Sequence, residues 1–182
     1  EDIALLGAHN MENALAAAAT ARLAGASTEA IRRGLATAVS LPHRTEKVAE
    51  AKGVRWVNDS KATNVAAARS AISSLDGALL VLLGGQDKGE DFSTLVAALS
   101  KADACVLTFG QAGPRIFRAL DGNVPVELLA GGFDEVMETA AQRAAPGTTV
   151  LLSPACSSYD MFDSYGERGA RFAALAKAIS ED

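Results

Sequence analysis

Val54-Arg55-Trp56-Val57-Asn58-Asp59-Ser60-Lys61-Ala62-Thr63-Asn64 is the stretch from which the rest of the chain is read. Its first five residues are mostly apolar and read as a strand. Val65, Ala68, Ile72 and Leu75 then recur at helical spacing, so the hexapeptide Asp59–Asn64 occupies a strand-to-helix turn. In α/β sheets such turns lie at the carboxyl ends of the strands, where helix-start N–H groups and short polar side chains meet anionic ligands. Asp59, Ser60, Thr63 and Asn64 are also good helix N-cap residues. A cap needs only one of them, however, and Lys61 in a first turn opposes the helix dipole. The surplus of polar groups points to a ligand.

Working outward, the same strand-then-helix alternation repeats. Lys47–Glu50 and Val54–Val57 flank Lys52-Gly53, which predicts a hairpin leading into the first main strand. Ala78–Leu83 is wholly apolar, as a parallel strand covered on both faces should be. A helix with Phe92, Leu95, Val96 and Leu99 follows. Strand Cys105–Phe109 leads to a helix with Ile116, Phe117 and Leu120, and strand Val126–Leu129 to one with Phe133, Val136, Met137 and Ala140. Strand Thr149–Leu152 and a helix with Phe172, Leu175, Ala176 and Ile179 complete the series. The expected fold is α/β, a doubly wound, mostly parallel sheet with helices on both faces.

The first 42 residues differ. Ile3–Leu6 reads as the tail of a strand, which suggests that the chain begins at a fragment boundary. Met11, Leu15, Ala19 and Leu23 predict a helix stopped by Gly25, and Ser27 caps a second helix bearing Ile31, Leu35 and Val39. Pro42 breaks that periodicity. A domain junction is therefore expected there, with residues 1–42 separate from 43–182.

Composition excludes several classes. At 182 residues, 49% hydrophobic and 21% charged, the chain reads as a globular protein able to bury its own core. A net charge of −5 without a basic stripe argues against nucleic acid. No run is long enough to span a bilayer and no signal peptide is evident, so a cytoplasmic protein without membrane contact is expected. Cys105 and Cys156 are too few for a disulfide framework and lack metal-ligand spacing. Cys105 is expected to be buried in its strand, and Cys156, with His9 and His43 both remote in sequence, to be a structural thiol rather than a nucleophile.

Four polar clusters interrupt the apolar scaffold. Besides Asp59–Asn64 they are Gly84-Gly85-Gln86-Asp87-Lys88-Gly89, whose glycines permit close backbone approach to an anion, and Ser153–Asp160, with Ser157 and Ser158 at an incipient helix. The fourth is split between Gly7–Asn13 and Leu41-Pro42-His43-Arg44. Taken in this order the clusters resemble the ATP-dependent Mur ligase family, and among its members those that add D-glutamate. The match runs through Gly7-X-His9-Asn10-X-X-Asn13, Leu41–Arg44, Asn58–Asn64, Gly84-Gly85-X-Asp87-Lys88, Ser153-Pro154-Ala155-Cys156-X-Ser158, Asp160-X-Phe162 and Arg168-Gly169.

The resemblance implies a Rossmann-like C-terminal domain over residues 43–182, preceded over 1–42 by a helical remnant of a central ATPase domain. It implies a ligase of peptidoglycan precursor synthesis, and so of cell-wall biogenesis, that joins D-glutamate to UDP-N-acetylmuramoyl-L-alanine through an acyl phosphate, using ATP and Mg²⁺. The Walker-type loop and the Mg²⁺ ligands would lie outside this chain, which is expected to be inactive alone and monomeric, with no catalytic residue of its own. Asn10 and Asn13 would face the adenine, His43 and Asp59 the ribose and Arg44 the phosphates, with Lys61 beside them. Thr63, Lys88 and Ser158, with the backbone around Tyr159 and Tyr165, would hold the two carboxylates of D-glutamate. Tyr159 and Tyr165 stand where relatives vary between aliphatic and aromatic residues. The alternatives are another glutamate-adding amide ligase such as a folylpolyglutamate synthetase, or a non-catalytic α/β binding module.

Overall fold

The computed structural model describes residues 8–38 and 41–181, the side chains of residues 8–10 excepted. The expected strand at Ile3–Leu6 and the helical residue Val39 lie outside the described residues, as do the side chains of His9 and Asn10.

Two helices come first. Helix α1 spans Ala8–Leu23 and is followed by Gly25 at φ 93°, a left-handed position that ends helices and that glycine occupies without strain. Helix α2 spans Thr28–Ala36, and the Ser27 hydroxyl accepts from Ala30 N at 3.2 Å, as its sequence position predicts. The apolar spacing of α1 does not bury it. Met11 is 50% exposed, Leu15 64% and Leu23 89%, while Ala14 is buried.

The α/β unit begins with the hairpin of β1 (Glu46–Ala51) and β2 (Val54–Asn58), turned by Lys52 at φ 52° and Gly53 at φ 78°. Two consecutive positive φ values match the twist of an antiparallel pair. The remaining strands are β3 (Leu79–Gly84), β4 (Ala104–Phe109), β5 (Val126–Leu128) and β6 (Thr149–Leu152). The sheet order is β1-β2-β6-β3-β4-β5, with β1 antiparallel to β2 and every other neighbour parallel.

This order explains the two layers of helices. From β2 to β3, β4 and β5 the chain steps one way across the sheet, and from β5 to β6 it returns. Right-handed crossovers in opposite directions put their helices on opposite faces. Helices α3 (Val65–Ser74), α4 (Val96–Lys101, entered through a 3-10 turn at Phe92–Leu95) and α5 (Gly113–Leu120) cover one face. Their Ile72, Leu99 and Ile116 pack with Val57, Val81 and Leu83. Helices α6 (Phe133–Arg143) and α7 (Tyr165–Glu181) cover the other, where Met137 and Phe172 meet Trp56, Leu80, Leu82 and Leu152. Every residue of β3 is buried, as its unbroken apolar run predicts.

Cys105 corrects one expectation, because it is exposed. It lies near the start of β4, where the sheet face opens into a cleft lined by Leu80, Leu107, Glu127 and Arg143. An apolar strand is buried only along the part its helices reach. Among the described residues no helix is long and apolar enough to cross a membrane.

Candidate functional site

Because β6 lies between β2 and β3, the helix after β6 leaves to the face opposite those after β2 and β3, and such switches leave crevices at the carboxyl ends of the strands. The loops after β2, β3 and β6 meet there. Within the β2 loop the question of capping has a single answer. Asn64 alone of the four candidates caps α3, accepting from Ala67 N at 2.8 Å.

Asp59 is buried and serves another purpose. Its Oδ1 accepts from Thr45 N at 3.2 Å and its Oδ2 from the Ser153 hydroxyl at 2.8 Å, so it ties the junction segment to the β6 loop. Burial pushes its carboxyl up to about 6, against the opposing pull of the Ser153 and Thr45 hydrogen bonds and the nearby Arg44 charge. Thr45 at φ 45° and His43 at φ 64° are left-handed, a conformation that costs a non-glycine residue roughly 1–3 kcal/mol and persists where surrounding bonds dictate it. Those bonds are present. His43 N donates to Glu46 Oε2 at 2.9 Å, and His43 O accepts from Lys61 N at 3.1 Å.

The β2 and β6 loops are held together by Arg168 of α7, which is 1% exposed. Its Nε donates to the Ser60 hydroxyl, its Nη2 to Ser60 O and Cys156 O, and its Nη1 to Ser157 O, at 3.0–3.2 Å. Burial lowers its pKa to about 10, which leaves the guanidinium charged at neutral pH. The Ser60 hydroxyl in turn donates to Tyr165 O at 2.8 Å. Asn58 is also fully buried, bonded to His43, Gly169 and Ser60.

The β3 loop joins the same assembly through Gly85. Gln86 N donates to Ser157 O at 2.8 Å, and a Cβ on Gly85, at φ 129°, would run into that same oxygen. Glycine is required by this close approach. Farther along, Asp87 pairs with Arg115 at 2.5 Å, and Glu90 Oε2 receives Val65 N at 3.4 Å. Lys88 stands exposed between them.

Of the residues expected to bind a nucleotide, Asn13, Arg44, Asp59 and Lys61 line one cleft of about 160 Å³. His43 lies against Asn58 and the Tyr165 ring instead. Lys61 Nζ sits 4.0 Å from the centre of the Tyr165 ring, so Tyr165 bridges the two. On the other side, Thr63 is half-buried and Tyr159 exposed. Ser158 is 2% exposed, and its hydroxyl has no hydrogen-bond partner among the described residues. Ser157 and Ser158 do not open a helix, which corrects their expected setting. Ser158 O closes a turn with Met161 N and Phe162 N, and α7 starts only at Tyr165. Burial drives the Cys156 thiol up to about 12, which makes it inert, as a structural thiol should be. Arg168, Asn58, Ser153 and Thr45 had no role in the sequence reading, although Asn58, Ser153 and Arg168 lie in its motifs. No group of three His, Cys, Asp or Glu side chains among the described residues could hold a metal ion.

A family model described as Mur ligase, glutamate ligase domain, matches residues 43–156. The UDP-N-acetylmuramoylalanine–D-glutamate ligase of Acidobacterium capsulatum is 48% identical over 97% of this chain and 38% of its own length. Proteins of the same name from Geobacillus kaustophilus and Hahella chejuensis are 44% and 40% identical, over 92% and 98% of this chain and 38% and 41% of theirs. The chain thus spans well under half the length of the curated relatives it matches. Among solved structures, MurC of Thermotoga maritima aligns with TM-score 0.70 over 97% of this chain and 39% of that one, at 14% identity. A bifunctional folylpolyglutamate synthase/dihydrofolate synthase from Yersinia pestis aligns with TM-score 0.56 over 82% and 34%, at 22% identity. Those two likenesses carry the fold alone.

Proposed function

The chain belongs to the Mur ligase family, and on that premise we propose that it is the C-terminal portion of an ATP-dependent, ADP-forming ligase that joins D-glutamate to UDP-N-acetylmuramoyl-L-alanine. Residues 43–182 would be its C-terminal domain and residues 1–42 the end of the domain before it. The family match starting at residue 43, beside the left-handed His43 and Thr45, supports that boundary.

In the proposed reaction the γ-phosphoryl group of ATP moves to the carboxylate of UDP-N-acetylmuramoyl-L-alanine, leaving ADP and an acyl phosphate. The amine of D-glutamate attacks the acyl carbon, inorganic phosphate leaves, and the amine gives up a proton to form the amide. Positioning of anions dominates such chemistry. The residues that would hold Mg²⁺ are proposed to lie outside this chain.

The observation that carries the reading is the cleft in which Arg44 and Lys61 stand beside Asp59 and Asn13. Two cations, a carboxylate and an amide suit a nucleotide's phosphates, ribose and base, and Asn10 and His43 are proposed as its further contacts. For D-glutamate we propose Thr63, Lys88 and Ser158, with the backbone at Tyr159 and Tyr165. Their loops are bonded to one another through Gln86–Ser157 and Val65–Glu90. The unpartnered, buried Ser158 hydroxyl supports this, because such a group is costly until a ligand or water bonds it. A cytoplasmic setting agrees with an ATP substrate and with two cysteines outside any disulfide.

The test is Lys88→Ala in the intact ligase. Loss of a charge-assisted bond, about 1.5–3 kcal/mol, should raise the KM for D-glutamate at least tenfold and leave that for ATP nearly unchanged. An unaltered D-glutamate KM would overturn the assignment. This chain alone, mixed with all three substrates, should release no phosphate.

A further inference from the structure

We infer that Asn58 is a positioning residue that holds His43 in its neutral Nε2–H tautomer, so that the ring offers its ligand a hydrogen-bond donor and not an acceptor. The Asn58 amide has a backbone partner at each end. Asn58 Oδ1 accepts from Ser60 N at 3.2 Å, and Asn58 Nδ2 donates to Gly169 O at 3.0 Å. Flipping the amide would set its NH₂ against the Ser60 N–H and its carbonyl against the Gly169 carbonyl. Both contacts would become repulsive, so the two backbone groups fix which end is nitrogen.

The NH₂ group has two hydrogens, and one goes to Gly169 O. The other faces His43 Nδ1 at 3.0 Å. A ring nitrogen facing a donor must present its lone pair, which places the single proton of the neutral imidazole on Nε2.

The ring has little room to escape this pairing. A Cβ on Gly169 would overlap Nδ1, so the ring packs directly on the α7 backbone, and the Tyr165 ring meets it edge-on with centroids 6.3 Å apart. The left-handed backbone at His43 is itself held by Glu46 and Lys61. Asn58 is 0% exposed, so solvent does not compete for its amide. Nε2 makes no hydrogen bond among the described residues and remains available. For the nucleotide proposed above, the matching partner is a ribose hydroxyl oxygen acting as acceptor; this last step alone rests on that proposal.

The test reads the tautomer directly. Long-range proton–nitrogen correlation spectra of this chain, labelled with ¹⁵N-histidine, should show His43 with Nδ1 unprotonated and Nε2 protonated at neutral pH. An Nδ1–H tautomer in the wild-type chain would overturn the inference. In Asn58→Asp a carboxylate faces Nδ1 and accepts from it, so Nδ1 should become protonated. Asn58→Ala, which removes the donor without adding an acceptor, should give a mixture of tautomers, and an unchanged Nε2–H form in both variants would also overturn the inference. Neither variant is needed for the wild-type reading. In the intact ligase, Asn58→Asp should raise the KM for ATP on the order of tenfold. A reversed tautomer with an unaltered ATP KM would uphold the role of Asn58 and remove His43 from the ribose.

Discussion

The loops after β2 and β3 leave the same end of one sheet, yet one begins with three buried, bonded polar residues while the other carries its cation into solvent. Asn58, Asp59 and Ser60 are enclosed, with partners on Thr45, Ser153, Gly169 and Arg168. Lys88 is exposed. Polarity at a strand end therefore has two meanings. The start of one loop spends its polar groups on holding the site together, and the other holds an exposed charge that is proposed for a ligand. Substitutions should separate them, with stability lost in the first and binding lost in the second.

The largest effect should come from Arg168→Met. Methionine fills much of the volume but leaves the carbonyls of Ser60 and Cys156 without their donor, and Ser157 O with Gln86 N alone. With each unsatisfied buried acceptor costing roughly 1–3 kcal/mol, partly relieved by relaxation, the loss should be about 3–5 kcal/mol. Denaturant unfolding measures it, and an unchanged midpoint would break the comparison.

Next is a pH effect centred on Asp59. Its carboxyl rises from 3.8 to about 6 on folding, so between those values the folded state binds more protons than the unfolded one. Stability should fall as pH rises through this window and stay lower above it, by at most about 3 kcal/mol. Asp87, Asp91 and Asp134 are shifted downward, so their opposite slope belongs to lower pH. Urea midpoints at pH 4 and pH 7 should differ less in Asp59→Asn than in the wild type; equal differences would clear Asp59 of the effect.

A smaller loss, about 1 kcal/mol, is expected for Asn64→Ala, which removes the one cap of α3. Helix capping by a neighbour would show as no change. Lys88→Ala should alter unfolding by less than about 0.5 kcal/mol, the usual range for an exposed side chain, whatever it does to glutamate binding. A larger loss of stability would place Lys88 with the structural loop.

Much of this was legible in the chain. The unbroken run Leu79–Leu83 could only be a strand covered on both faces, and the alternation of such runs with helical spacings specified an α/β sheet. Lys52-Gly53 marked the hairpin, and Ser27 and Gly25 marked helix ends. Less legible were the fates of individual side chains. Spacing placed Met11, Leu15 and Leu23 on a helix without revealing that they face solvent, and an apolar context suggested a buried Cys105 that is exposed. Periodicity reports local conformation; burial depends on which neighbour covers each position.

The sequence by itself determined the class of fold, the strand-end location of the polar clusters and, through their order, the family. Tertiary structure alone decided which of those polar groups are spent on one another. Arg168 reaches Ser60 across 108 positions of chain, and Asn58 reaches Gly169 across 111. No local pattern encodes such meetings, because they arise only when β6 inserts between β2 and β3 and brings α7 against the β2 loop. Hydrogen bonding acts over about 3 Å. Whether Asp59 is a cap, a ligand group or a buried strut is therefore set by distance after folding.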